Sequence, residues 1–217
     1  MCLKSIPIAI FRKFSGWKSK RSRSCLPKKR RQIQTSAKNS QTKFMKVSII
    51  TATYNSASSI KTAIDSVLSQ THHNLEYLII DGASTDDTLA LAAEYNDPRI
   101  RILSEPDSGI YDALNKGIAA ATGEVIGFVH SDDILASNTV IEELVAQLAA
   151  GADGVYGDLL YVEKEDMSKV IRYWKSRPFY RKLLSRGWMP AHPTLFLKTE
   201  VYQKHGNFSL KYHIAAD

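Results

Sequence analysis

Residues 46–55 read KVSIITATYN, and this stretch decides the fold class. Its apolar, largely β-branched part has the composition of a buried strand, and Tyr54-Asn55-Ser56 ends that strand with loop-forming residues. Apolar residues then recur at the i, i+3, i+4 spacing of a helix with one buried face: Ile60, Ala63, Ile64, Val67 and Leu68. A strand followed by an amphipathic helix is the repeating unit of an α/β domain.

The strand-then-helix order continues through residue 150. We predict further strands at residues 75–80, 99–103 and 124–129, and helices at residues 88–95, 109–121 and 139–150. A capping box from Thr139 to Glu142 is predicted to open the last helix. Near-continuous apolar strands that alternate with helices predict an α/β fold with a mainly parallel sheet flanked by helices.

Beyond residue 151 the pattern loosens. We predict strands at residues 155–162, 170–174 and 194–197, and a short basic helix at residues 179–186. This α+β addition is suited to binding a second substrate.

The distribution of charge divides the 217-residue chain into two parts. Residues 1–44 carry thirteen Lys and Arg and no acidic residue, whereas residues 45–217 carry sixteen Lys and Arg against twenty-two Asp and Glu, a net charge of −6. We therefore place a basic tail at residues 1–44 before a mildly acidic domain at residues 45–217. Because its charges repel one another, we expect the tail to be disordered and dispensable for the fold.

Four interpretations of the tail compete. The KKRR run at residues 28–31 suits nucleic acid, the Arg- and Ser-rich composition suits a transit peptide, and the mixture of cations with apolar residues suits an anionic membrane surface. The fourth is that the tail has no structured role and that translation begins at Met45. Among the functional roles we carry forward a peripheral membrane contact and no nucleic-acid partner, because the acidic domain repels phosphate backbones.

Composition and motifs exclude several classes of protein. No run of 18 apolar residues is present to cross a membrane as a helix, and Cys2 and Cys25 cannot build a disulfide scaffold or a cysteine-based zinc site in the main body. Neither Gly-x-Gly-x-x-Gly nor a Walker motif follows the first strand. Dinucleotide-binding and P-loop sites are therefore unsupported.

Polar side chains follow the predicted strands at the edge where open α/β sheets bind ligands. For Asp132 and Asp133, two interpretations stay open: ligands of a Mg²⁺ or Mn²⁺ that also binds substrate phosphates, or the cap of a following turn. Asp81 also has two. Its carboxylate can accept a hydrogen bond from a nucleobase imide beside the Tyr54 ring, or it can close an Asx-turn before Gly82.

Residues 45–217 resemble the inverting glycosyltransferases of family 2, which have the GT-A fold. The resemblance is carried by VSIITATYNS, LEYLIIDGASTDDT, EPDSGIYDALNKGIAAATGEVIGFVHSDD and HPTLFLKTEVYQKHGNF with the terminal IAAD, in the family's order. It implies a Rossmann-like sheet with a nucleotide-binding half at about residues 45–133 and an acceptor half at about residues 134–217. The EPDSGIYDALNKG motif is typical of bacterial members that build surface polysaccharides.

The resemblance also implies roles for individual residues. Those expected to bind the donor nucleotide are Thr51, Thr53, Tyr54, Asn55, Asp81, Ser84 and Asp86. Asn115 and Lys116 fall near the nucleotide sugar and His192 near the acceptor, although roles on a helix surface or in a loop stay open for these three. Asp132 and Asp133 match the acidic metal motif, with Asp133 the more direct ligand of Mg²⁺ or Mn²⁺.

Asp217 matches the family's catalytic base. The implied reaction moves a sugar, with inversion, from a nucleoside diphosphate sugar (most often a UDP-sugar) to a hydroxyl of a glycan or lipid-linked acceptor. The implied location is the cytoplasm or the inner face of the membrane. Because relatives continue past this base, we expect that the C-terminus is missing and that the chain binds donor better than it turns it over. The alternative is a catalytically weak fragment that binds nucleotide sugar.

Overall fold

The structure is a computed structural model, and it describes residues 3–14, 45–164 and 166–212, the first range by its backbone. The strands are β1 (Leu3–Phe14), β2 (Val47–Thr53), β3 (Leu75–Asp81), β4 (Ile100–Ser104), β5 (Val125–Phe128), β6 (Asp133–Leu135), β7 (Gly154–Glu163), β8 (Val170–Trp174) and β9 (Phe196–Lys198). The α-helices are α1 (Ile60–Leu68), α2 (Thr88–Ala93), α3 (Ile110–Ala120), α4 (Val140–Ala149) and α5 (Thr199–His205). Short 3₁₀ helices span Arg181–Arg186 and His192–Thr194.

The described strands form one nine-stranded sheet. Its order is β4-β3-β2-β5-β9-β7-β1-β6, and β8 pairs with β7 outside that order. The four strands β4, β3, β2 and β5 are mutually parallel, whereas β9 runs antiparallel to both β5 and β7. The predicted α/β fold is therefore confirmed, with a mixed sheet that is parallel from β4 to β5 and to which the later strands also belong.

Helices cover both faces of the sheet, as predicted, because the central strands are apolar on both sides. Every residue of β3 is buried. Alternate residues of β2 enter different cores: Ile49 packs in the core that includes α1 and α4, and Ile50 packs in the core that includes α3. The register sets the Cα of Thr53 beside that of Asp81 and the Cα of Ile50 beside that of Phe128. The carboxyl ends of β2, β3 and β5 consequently meet at one edge.

The N-terminal segment differs from the sequence-based expectation. Residues expected to be disordered form β1, which pairs parallel with β7 and antiparallel with β6. The physical reason is the apolar run IPIAIF at residues 6–11, which the dense charge of residues 18–31 obscures when the tail is judged as one unit. Residues 3–14 are thus described as a strand, and the rest of the tail, where disorder stays a prediction, lies outside the described residues.

The predicted capping box of α4 does not form. Thr139 is the N-cap residue of α4, but its hydroxyl donates to the Glu143 carboxylate (Oγ1 to Oε1, 2.8 Å) and makes no capping bond to the backbone. At α2 the N-cap residue Asp87 makes no side-chain cap, and the neighbouring Asp86 instead accepts from the Thr88 N–H at 3.0 Å. Among the described residues no helix is long and apolar enough to span a membrane.

Candidate active site

A cavity of about 510 Å³ opens where the loop after β2 faces the loop before α3. Its volume falls within the range of small-molecule sites. The Tyr54 side chain, 63% exposed, forms one wall. The lining residues are Ala52, Thr53, Tyr54, Gly82, Pro106, Asp107, Gly109, Ile110 and Ala113.

Thr53 is among the residues that line this cavity. The residue is only 5% exposed, and its Oγ1 is buried without a hydrogen-bond partner within the described part of the chain. The hydroxyl is therefore not presented to the cavity, and the role of Thr53 in binding the nucleotide stays a prediction.

Gly82 and Asp107 define the opposite wall. A Cβ atom on Gly82 would lie 2.5 Å from Asp107 Oδ2 and 3.5 Å from the Tyr54 ring, so only glycine allows this close approach. Asp107 Oδ1 in turn accepts the N–H of Gly109 at 2.8 Å, in a turn where Gly109 has φ +115°. The sequence reasoning assigned no role to Asp107; the Pro-Asp-Ser-Gly turn before α3 is the signal that marks it.

Asp81 lies at the end of β3 and is wholly buried. Its carboxylate accepts the Ser84 N–H (3.0 Å), the Ser84 hydroxyl and the Ser104 hydroxyl (2.7 Å). The interpretation in which Asp81 closes a turn is therefore what the structure shows, with Ser84 as the partner. Its predicted bond to a nucleobase would need the base to reach a carboxylate that is wholly buried here, and it stays a prediction.

Asn55 and Asp86 tie together the loops after β2 and β3. Asn55, at φ +48°, accepts the Thr85 N–H at 2.9 Å, and Asp86 accepts the Ala57 N–H at 3.1 Å. The hydroxyl of Thr88 is the main reason that the pKa of Asp86 lies below its usual value. Both side chains hold the Tyr54 loop in place, so they support the cavity without lining it.

Thr51 does not reach the cavity. It is fully buried, and its hydroxyl donates to the Val129 carbonyl and lies 2.9 Å from the Tyr77 hydroxyl. Thr51 is not among the residues that line this cavity, and its expected place in the nucleotide pocket stays a prediction. Thr51 lies deeper in β2 than Thr53, in the part of the strand that helices cover on both faces, so its hydroxyl finds its partners inside the domain.

The acidic pair lies at the same edge of the sheet as the cavity. Asp133 is wholly buried at the start of β6, and its N–H donates to the His130 carbonyl at 2.9 Å. The preceding Ser131 has its hydroxyl 2.9 Å from that of Ser56, which fixes the acidic loop to the Tyr54 loop. Asp132 is half-buried.

These residues fit a divalent cation only in part by themselves. Within the described residues no group of three or more His, Cys, Asp or Glu side chains is placed to hold a metal ion. Mg²⁺, however, is commonly bound through one or two carboxylates with the remaining positions filled by water and substrate phosphates. An oxygen-only pair beside a ligand-sized cavity suits that mode of binding.

Asn115 and Lys116 brace the walls of the site and do not line the cavity. The side-chain amide of Asn115 bonds to the backbone of Phe208. The Lys116 Nζ donates to the Pro106 carbonyl at 2.7 Å and lies 2.9 Å from the Glu105 carboxylate, which raises the pKa of Lys116. Lys116 thereby holds the loop that carries Asp107.

His192 occupies a second, smaller cavity. Its ring stacks on Phe128 (centroids 5.3 Å apart) and on His130 (5.6 Å), and it meets Phe208 edge-on. This cavity, of about 210 Å³, is otherwise lined by β9, α5 and the segment that follows α5. Asp217, the expected base, lies outside the described residues.

Comparison with known proteins identifies the family. Residues 48–205 match the model of glycosyl transferase family 2. The chain belongs to this family.

Two mycobacterial relatives are similar to this family 2 chain. It is 31% identical over 173 residues to the uncharacterized glycosyltransferase Rv1514c of Mycobacterium tuberculosis, and the match covers 79% of this chain and 65% of that protein. It is also 31% identical over 175 residues to a PGL/p-HBAD biosynthesis glycosyltransferase of Mycobacterium bovis, covering 78% of this chain and 66% of that one. The chain thus spans about two thirds of the length of these relatives.

Solved structures confirm that this glycosyltransferase has the GT-A fold. Staphylococcus aureus TarS 1-349, in complex with UDP-GlcNAc, matches with a TM-score of 0.63 at 23% identity, over 76% of this chain and 49% of that one. The mannosyltransferase PcManGT of Pyrobaculum calidifontis, in complex with GDP-Man and Mn²⁺, matches with a TM-score of 0.58 at 22% identity. The match covers 76% of this chain and 48% of that one. At these identities the likeness concerns the fold alone.

Proposed function

We propose that the chain transfers a sugar from a nucleoside diphosphate sugar to an acceptor hydroxyl, with inversion at the anomeric carbon. The observation that carries the proposal is the cavity between Tyr54 and Asp107, at the carboxyl edge of the parallel strands and beside the loop of Asp132 and Asp133. This edge is where open α/β sheets bind ligands. Two structural neighbours whose names record a UDP-sugar or a GDP-sugar support the same class of donor.

Each part of the cavity has a proposed role in binding the donor. The exposed Tyr54 ring offers a face on which a base can stack. Asp107 Oδ2, at the wall formed with Gly82, is an acceptor suited to sugar or ribose hydroxyls. A UDP-sugar is the proposed donor.

Asp133 and Asp132 are the proposed ligands of a Mg²⁺ or Mn²⁺. When bound, such an ion neutralises negative charge on the diphosphate that leaves. The chain's own contribution is to hold Asp133 rigidly, through its backbone bond to His130, at the edge where the diphosphate would lie. The PcManGT complex with Mn²⁺ supports this assignment as a proposal for the present chain.

Asp217 is the proposed general base, because an attacking hydroxyl must lose its proton and an aspartate is ionised at neutral pH. The proposed acceptor is a glycan or a lipid-linked glycan for the cell surface, and the name of the mycobacterial relatives in PGL/p-HBAD biosynthesis supports a glycolipid product. The proposed location is cytoplasmic, at the inner face of the membrane.

A screen of nucleotide sugars tests the donor site. We expect one class of nucleotide sugar to raise the melting temperature in the presence of Mn²⁺, since ligand binding stabilises the folded state by mass action. Tyr54→Ala should abolish most of that shift. Tyr212→Ala is the matched control, because the two tyrosines are 63% and 62% exposed and Tyr212 is not part of the cavity.

Transfer is measured separately, by mass spectrometry of glycan and lipid-linked acceptors after incubation with the donor that binds. The absence of any stabilising nucleotide sugar, or equal shifts in the two tyrosine variants, would contradict the proposal. Donor binding without transfer would leave the donor site supported and the transfer reaction refuted for this chain.

A further inference from the structure

One stretch of the chain reverses the charge of the domain around it. Between Asp166 and Glu200 there are eight Lys and Arg and no acidic residue, in a domain whose net charge is −6. Within it we define the basic segment as residues 172–188, which begin in the second half of β8 and include the 3₁₀ helix Arg181–Arg186. Neither the donor cavity nor the acidic pair uses this segment.

The basic segment presents cations and apolar side chains together on the surface. Tyr180 is 59% exposed and Leu184 is 50% exposed, far more than residues that pack in a core. The exposed cations between and beside them are Lys175, Arg177, Arg181, Lys182 and Arg186. No salt bridge in the described part of the chain neutralises Arg181, Lys182 or Arg186, unlike Lys169, which pairs with Glu163, and Lys198, which pairs with Glu200.

The segment is anchored to the sheet at its base. Asp158, in β7, accepts the N–H and the hydroxyl of Ser176, both at 2.7 Å, and also the Tyr173 hydroxyl. The Tyr156 hydroxyl donates to the Arg177 carbonyl at 2.7 Å, and the Arg177 guanidinium lies 4.9 Å from the centre of the Trp188 ring. These bonds present the exposed side chains from a fixed platform.

The segment also leads directly to the site. Its last residue, Trp188, is followed within four residues by His192, whose ring stacks on Phe128 at the end of β5 and on His130 before the acidic pair. The basic segment is therefore joined through residues 189–191 to a residue that lines the second cavity.

We propose that the basic segment docks the domain on an anionic lipid bilayer. Uncompensated Lys and Arg are attracted to anionic headgroups, and exposed tyrosine and leucine side chains enter the interface between headgroups and acyl chains. The presence of exposed apolar side chains among the cations favours a bilayer over a soluble polyanion. A soluble polyanion would bind the cations but would gain little from Tyr180 and Leu184. This surface is separate from residues 1–44 and does not depend on them.

Vesicle binding by the full chain tests the proposal. The probe is a phosphatidylcholine vesicle with and without phosphatidylglycerol, and the readout is cosedimentation. Arg181→Gln, Lys182→Gln and Arg186→Gln are combined in one variant, which should bind anionic vesicles about tenfold or more weakly than the natural chain. The matched control combines Lys61→Gln, Lys204→Gln and Lys211→Gln, which remove the same charge from exposed positions elsewhere, and it should change the apparent Kd less than about threefold.

A second variant separates a bilayer from a soluble polyanion. Tyr180→Ser with Leu184→Ser leaves every charge in place, and it should still weaken vesicle binding about threefold or more, including at high salt where charge attraction is screened. Wild-type vesicle binding by the triple glutamine variant, or no binding by the natural chain, would overturn the proposal. Loss in the triple variant with unchanged binding by the serine variant would also overturn it, in favour of a site for soluble polyanions.

Discussion

The side-chain amide of Asn115 makes two hydrogen bonds to the backbone of Phe208, a residue 93 positions later in the chain. Asn115 Nδ2 donates to the Phe208 carbonyl at 2.9 Å, and the Phe208 N–H donates to Asn115 Oδ1 at 3.0 Å. The pair fastens the segment after α5 onto α3, with the Phe208 ring 5.7 Å from Phe128 and 5.6 Å from His192. The wall of the second cavity therefore depends on one asparagine.

Asn115→Ala should lower the free energy of unfolding by about 2 kcal/mol, since each of the two hydrogen bonds contributes on the order of 1 kcal/mol. Urea denaturation measures the loss. Lys116→Ala, one position along the same helix, is the control and should cost clearly less, because its ion pair with Glu105 is solvent-accessible. Equal losses in the two variants would show that the Phe208 clamp does not carry the effect.

Gly82→Ala should weaken donor binding through Asp107. The new Cβ would lie 2.5 Å from Asp107 Oδ2, so the carboxylate must swing away from the cavity wall. In a chain that already carries Asp107→Ala, the same glycine change should have little further effect. Calorimetry on the four proteins of this double-mutant cycle measures the coupling. Additive effects of the two changes would contradict a shared wall.

The sequence predicts the central sheet well, because β2 and β3 are buried on both faces and read as unbroken apolar runs. It also places Thr53, Tyr54 and the acidic loop at the correct edge. It cannot show that the Thr51 hydroxyl bonds to the Val129 carbonyl or that the Asn115 amide bonds to the Phe208 carbonyl. Those partners are set by tertiary packing. The Pro-Asp-Ser-Gly turn marks Asp107 in the sequence, but its contact with Gly82 cannot be seen there, because the two residues are distant along the chain.

The same limit explains the N-terminal segment. A strand of apolar residues beside a long cationic stretch is recognised only when the edge that pairs with it is known. In the structure β1 supplies that pairing to β7 on one side and β6 on the other. Over residues 1–44 as a whole, the Lys and Arg residues dominate the composition, so the short apolar run at residues 6–11 does not stand out.

Removal of β1 tests its place in the sheet. A chain that starts at residue 15 should melt lower by about 4 °C or more, because β7 and β6 each lose a hydrogen-bonded neighbour. Ile10→Pro is the point change that removes a ladder hydrogen bond from β1 and should act in the same direction. Unchanged melting in both would place residues 3–14 outside the stable sheet.

Glu76 should make stability depend on acid pH. Burial by itself would raise its pKa, but hydrogen bonds from the Thr122 N–H and hydroxyl, the Ser48 hydroxyl and Lys46 lower the pKa of Glu76 to about 2. A folded-state pKa below the unfolded value stabilises the fold above pH 4.5, and this stabilisation is lost as the pH falls through 2.

The measurement is the free energy of unfolding of the natural chain and of Glu76→Gln at several pH values. The advantage of the natural chain should shrink by about 2 kcal/mol between about pH 6 and about pH 2.5, because the Glu76 carboxylate of the folded chain becomes protonated as the pH approaches 2. A difference that stays constant with pH would mean that the carboxylate has no special pairing in the folded state.

Calorimetry of UDP binding to Asp133→Asn, with and without Mn²⁺, tests most directly whether the edge of the sheet holds a metal-assisted donor site. The change keeps the size of a wholly buried side chain and removes its charge. We predict that the Mn²⁺-dependent affinity falls about tenfold or more, about 1.4 kcal/mol, while the melting temperature without ligand changes little. Asp65→Asn, on α1, is the control and should bind as the natural chain does. Undiminished Mn²⁺-dependent binding of UDP by Asp133→Asn would contradict the assignment of the acidic pair and the account of the site built on it.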